Sequence, residues 1–306
     1  MNGMRNALKI LLVLILIIPS FLSCKRKSLS KNNIIIPSFS TYSDDSTGIN
    51  AVPKKEEILY GLVTPTEVTA IFRRLGIPYN DAILDPISNS DLYTSSARAS
   101  LNLGVYGVDF GYIKMFGIGQ KMLDYILTIK DMSNKLGIPD KFLTEPINRM
   151  ESDMSDPDTV MALVSRSYSD IENHLRKDGR ESTAGLMLMG GWIEALYITT
   201  QLLYNPENPD REVIEKIAQQ KYTLTSLVGY MRNFYDDPVV VFYTKKLIFL
   251  KRYFDSFDIY FRIGDLRIDT TRKVLIATGS DLTLSKPTLE DIIDYVKKLR
   301  TEIVTP

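Results

Sequence analysis

The word LGIP occurs twice, at residues 75–78 and 136–139, and each time it stands where a helix has to stop. Glycine accepts the left-handed backbone that ends a helix, and a proline just beyond cannot resume it. The first stop closes TPTEVTAIFRRLGIP, in which Thr64 is suited to cap the helix, Pro65 to open it and Glu67 to complete a capping box. Around the second, NKLGIPDKFLTEP echoes the earlier RRLGIPYNDAILDP. The echo is compatible with repeated helix pairs, yet unrelated helices end the same way, and two instances do not establish a solenoid. The chain is punctuated for helices.

Apolar spacing predicts further helices over about 90–117, 119–136, 140–153, 156–178, 182–204, 210–235 and 238–256. The closing segment KPTLEDIIDYVKKLRTEIV keeps Leu289, Ile292, Ile293, Val296, Leu299 and Ile303 on one face. Glu290 and Asp291 suit the start of its dipole, and Lys297, Lys298 and Arg300 its later turns. Only DLRIDTTRKVLIATG alternates as strands do, with Leu266 and Ile268 on one arm and Val274 and Ile276 on the other. The expectation is a mainly α fold: packed antiparallel helices over 58–306, with one small β-hairpin at about 264–278.

The first 57 residues read differently. Arg5 and Lys9 precede ILLVLILII, residues 10–18, a run too short for a comfortable bilayer span. A basic start, a short apolar core and a small residue, Ser23, mark a secretory signal over 1–23. Cys24, the single cysteine of the chain, follows at once. This arrangement resembles the lipobox of bacterial lipoproteins, with Phe21 where the common pattern has leucine. The resemblance implies cleavage after Ser23 and lipidation of Cys24, which would anchor the chain in a membrane; an uncleaved span is the competing reading. Lys25, Arg26 and Lys27 can lie against anionic headgroups. Lipoproteins displayed on the outer surface carry acids at these positions, so the resemblance implies a periplasm-facing outer-membrane location. Residues 24–57 are polar and proline-broken, a flexible tether whose ends would lie about 30 Å apart. Ile34–Ile36 are the one apolar cluster with which it can dock.

Two helical segments carry acids in apolar surroundings. LNLGVYGVDFGYI holds Gly104, Gly107 and Gly111, and LMLMGGWIEALYI holds Gly191 and Ala195, small residues that let backbones approach closely. Each has an acid followed three residues later by tyrosine, Asp109 with Tyr112 and Glu194 with Tyr197, hence on one helix face. Asn102 lies two turns before Asp109 and Gln201 two turns after Glu194. If the faces meet, these six side chains line a polar seam. Asp109 and Glu194 would then be either structural acids, with Arg98 as a local partner, or a carboxylate pair of the kind that hydrolyses glycans.

Other chemistry has little support in the residues. His174 is the sole histidine, in the charged SDIENHLRKDG, and Ser-His-Asp catalysis or a Cys/His zinc site lacks its parts. DMSDPDTV, residues 153–160, lacks the glycine and closing glutamate of a calcium loop, and GIG at 117–119 is not a dinucleotide fingerprint. No cofactor is implied. The 37 basic residues balance 37 acidic ones, which argues against nucleic acid. NFYDDPVVVFYTKKLIFLKRYFDSFDIYF, residues 233–261, concentrates aromatics and lysines, as a core helix does or a surface for sugars, peptides or headgroups. On GGWIEALYITTQL and VKKLRTEIV the body resembles helical envelope lipoproteins of Gram-negative bacteria that have no assigned activity. The expectation is a lipid-anchored envelope protein with a non-enzymatic binding or scaffold role towards an envelope protein or polymer; the alternative is the glycan-directed hydrolase.

Overall fold

The structure, a computed structural model, describes residues 34–36, 65–142, 170–171, 173–175, 177–261, 266–269, 274–277 and 280–306. The signal segment, Cys24, Thr64 and the DMSDPDTV segment lie outside the described residues.

The body is mainly helical, as the spacing predicts. Its helices are α1 (Pro65–Leu75), α2 (Ser96–Phe116), α3 (Gly119–Lys135), α4 (Glu181–Ile198), α5 (Arg211–Met231), α6 (Pro238–Asp255) and α7 (Lys286–Val304). Their ends follow from local chemistry. The side chains of Ser95, Asp210, Asp237 and Ser285 accept N–H donors at the starts of α2, α5, α6 and α7. Both LGIP words end a helix in the same way. Gly76 and Gly137 take φ of 66° and 65°, and the N–H of Ile77 and Ile138 reach back to the Phe72 and Ser133 carbonyls. GIG at 117–119 supplies the turn between α2 and α3 with its first two residues, Gly117 at φ 68° and Ile118, while Gly119 opens α3. That two-residue connection sets α2 and α3 antiparallel, and the brief turn through 232–237 does the same for α5 and α6.

Three predicted helices change form at an end, among them α5, which tightens to a 3-10 turn over Arg232–Phe234. The one expected from residue 90 begins at Ser96, because Ser95 caps it and Ile87–Leu92 form a separate 3-10 turn. The one expected to run to 204 is α-helical to Ile198 and widens to a π-turn over Thr199–Leu203. There Thr199 and Thr200 donate their hydroxyls to the carbonyls of Ala195 and Tyr197, local bonds that compete with the α-helical pattern.

The predicted hairpin is present as β3 (Leu266–Asp269) and β4 (Val274–Ala277), antiparallel with Leu266 opposite Ala277. Ile34–Ile36 form strand β1 and pair antiparallel along the other edge of β4, so this cluster does join the body's sheet. A second ladder joins β2 (Ile259–Tyr260) to β5 (Asp281–Leu282); two residues per strand are too few for an alternating pattern to show.

The core centres on α2 and α4, which pack more extensively than any other described pair of elements. Glu181–Leu203 is long and apolar enough to cross a membrane by length and composition, but most of it is buried inside the fold. It is apolar on every side because protein surrounds it. α7 closes the molecule against α4, α6 and α2.

Candidate functional site

α2 and α4 meet at glycines. A Cβ on Gly104 would lie 2.0 Å from the Met187 carbonyl oxygen, and one on Gly190 would lie 1.9 Å from that of Leu101. Only glycine allows this approach. Gly107 and Gly111 have open space around them, so the contact is made by Gly104, Gly190 and Gly191 rather than by a stripe along one face.

The close approach brings Asp109 and Glu194 together in the interior. Both are fully buried; Asp109 feels the charge of Glu194, and Glu194 that of Arg300 and Asp85. Arg300, on α7, grips Glu194 with both arms of its fork: Nε to Oε2 at 2.9 Å and an Nη2 to Oε1 at 3.1 Å. The same Nη2 donates to the Ile83 carbonyl at 3.1 Å. The Arg300 guanidinium also lies 4.7 Å from the Tyr197 ring centroid.

A third carboxylate, Asp85, stands at this centre and is fully buried too. Its backbone N–H donates to Asp109 Oδ2 at 2.9 Å. Its side chain accepts from Asn89 Nδ2 at 2.8 Å and from the Tyr93 hydroxyl at 2.8 Å, the latter also within 2.7 Å of the Val304 carbonyl. Tyr125 and Tyr106 donate to the carbonyls of Asp85 and Pro86 at 2.7 and 2.9 Å. Hydrogen bonds thus tie the 83–93 connection to α2, α3 and α7, and through Arg300 of α7 to Glu194 of α4.

Electrically, three buried carboxyl groups face one guanidinium. Burial raises the pKa of Asp109 well above the carboxylate range, and the neighbouring Glu194 charge pushes the same way. Burial also raises Glu194, against the opposing pull of Arg300, and Asp85, against its bonds from Asn89 and Tyr93. Asp109 Oδ1 has no hydrogen-bond partner. Burial and the Glu194 charge both favour the protonated form of Asp109.

Of the six seam residues named from sequence, Asp109, Glu194 and Tyr197 come together around Arg300. Asn102 is buried near the end of α7, where its Nδ2 donates to the Arg98 and Ile303 carbonyls at 3.0 Å each. Tyr112 turns towards α1. It stacks on Tyr79 at 5.5 Å, packs against Phe72 and Phe116, and accepts the Asn80 N–H at 2.8 Å. Gln201 is half-buried in the π-turn. Arg98 is not the partner of the acids; it donates to the Thr305 carbonyl. His174 rests its Nε2 2.9 Å from the Gly137 carbonyl and its ring against Phe142.

Neither carboxyl group of the pair reaches the surface among the described residues. A pocket of about 230 Å³ among the described residues is lined by Asp91, Tyr93, Thr94, Ser95, Lys135 and neighbours, and neither Asp109 nor Glu194 lines it. Compared with protein-family models, curated proteins and solved structures, the chain matches none.

Proposed function

We propose that the chain is a lipid-anchored cell-envelope protein, held through Cys24, whose helical body has a non-enzymatic binding or scaffold role towards an envelope protein or polymer. The lipobox-like FLSC and the polar stretch after it support the anchor and an outer-membrane, periplasm-facing address. The observation that carries the non-enzymatic part is the burial of Asp109 and Glu194, with both Glu194 oxygens taken by Arg300. Glycan hydrolysis needs two carboxyl groups flanking a cleft open to substrate and water. Here the pair instead joins helices.

Two experiments test the two parts. Cys24→Ser should leave an unlipidated precursor in place of a processed, acylated chain; normal processing of that variant, by mass spectrometry, overturns the anchor. Affinity capture from crosslinked envelopes, with wild type beside Asp109→Asn, tests the body. The same protein partner retained by the folded variant supports a scaffold, and a glycan lost only from the variant overturns it.

A further inference from the structure

The aromatic and lysine-rich segment at 233–261 is divided between core and surface. Val240, Tyr243, Thr244, Leu247, Leu250 and Phe254 face inward from α6. The opposite line, positions 239, 242, 245, 246, 249, 252 and 253, reads Val, Phe, Lys, Lys, Phe, Arg, Tyr and contains no acid. Phe242 and Phe249 are 51% and 42% exposed, and Val239 and nearby Tyr235 are open too. Each exposed phenylalanine has a cation over its ring: Lys246 Nζ at 4.6 Å from Phe242, and the Arg252 guanidinium at 5.6 Å from Phe249. Tyr295 of α7 widens the strip by stacking on Phe249 at 5.0 Å. Lys246 is paired with Glu302, while Lys245 and Arg252 are exposed.

We infer that the outer face of α6 is a membrane-contact strip that lies on an anionic lipid surface. This rests on the proposed lipid anchor, which holds the body beside a bilayer. Exposed phenylalanines interleaved with basic side chains on one helix line suit the boundary between acyl chains and headgroups. The rings enter the apolar side, and Lys245 and Arg252 reach anionic headgroups along their own apolar stems. An acidic polypeptide would satisfy the cations but leave two phenylalanines without an apolar phase. The strip, from position 239 to 253, is about 22 Å long at about 1.5 Å per residue, and Phe242 and Phe249 stand two turns apart on it, so both rings can touch one surface at once.

The test places a reporter on the strip. Trp192, the single tryptophan, is buried, so Phe242→Trp adds a surface signal above its background. The processed full chain is reconstituted in phosphatidylethanolamine–phosphatidylglycerol vesicles with brominated acyl chains. The emission added by Phe242→Trp should fall roughly two-fold relative to unbrominated vesicles, and less so in phosphatidylcholine or with Lys245→Glu/Arg252→Glu. Vesicle flotation reports the anchor separately. A chain that floats with no quenching of the added tryptophan overturns the strip and leaves the anchor intact. A chain that does not float overturns the anchor; quenching on mixing it with preformed anionic vesicles still supports the strip, and none overturns it. Equal quenching in both lipids, unchanged by the charge reversal, also overturns it, as does crosslinking of position 242 to a protein without quenching. Phe249→Trp repeats the measurement should the first variant misfold.

Discussion

The Asp109 side chain accepts one hydrogen bond, from the Asp85 N–H at 2.9 Å, and its other oxygen is buried with no hydrogen-bond partner. Because its pKa is raised by burial and then by Glu194, the folded protein holds a proton there that the unfolded chain releases near pH 4. The contribution of this group is therefore complete below about pH 4 and declines as pH rises towards the folded value. Asp109→Asn supplies a permanent donor of the same shape, so its stability relative to wild type should increase with pH from about 4 upward. Urea midpoints over a pH series check this, and a constant difference between the two proteins would place no proton on Asp109. Glu194→Gln is the opposite case. It leaves the Arg300 charge buried with a neutral partner, and should cost about 3 kcal/mol at neutral pH, read from the same midpoints.

At the level of the helix, Gly104 and Gly107 differ only in what lies beyond the missing Cβ. Gly104→Ala would push a carbon into the Met187 carbonyl and the Gly191 nitrogen, at 2.0 and 2.6 Å. Gly107→Ala meets nothing within 4 Å. The first substitution should destabilise by about 3 kcal/mol, since two backbones must separate, while the second should stabilise by about 1 kcal/mol through helix propensity. Denaturant unfolding of the two variants checks both signs. The sequence made the small-residue contact legible but not its address, because spacing alone does not say which glycines face the partner. The acids were legible for a similar reason: Asp109 and Glu194 sit amid apolar neighbours. Arg300 lay on the buried line of α7, between Val296 and Ile303, yet a cation late in a helix has a sufficient explanation in the dipole. Asp85 had no such trace. It lies in a short connection before Pro86, where no periodicity separates inward from outward residues.

Across the whole molecule, the chain's end holds its middle. Arg300 meets Glu194 from 106 positions later and Ile83 from 217 positions later. The carbonyls of Ile303, Val304 and Thr305 accept from Asn102, Tyr93 and Arg98. Helix existence was readable from local spacing, but these closures depend on which segments become neighbours in space, which no window of sequence contains. They also make α7 unlike a helix that merely covers a surface. Removing residues 300–306 strips the partner from a buried carboxylate, itself worth about 3–5 kcal/mol, and takes three further acceptors with it. The sum is comparable to the total stability of an ordinary domain, about 5–15 kcal/mol. The truncated chain should therefore lose its cooperative thermal transition as a whole rather than fray at one end. Removing the exposed Pro306 alone should change stability by less than about 0.5 kcal/mol. Thermal melts followed by near-ultraviolet circular dichroism distinguish these outcomes. A sharp transition in the longer truncation would mean that Glu194 is satisfied without Arg300, with its own proton in place of the cation.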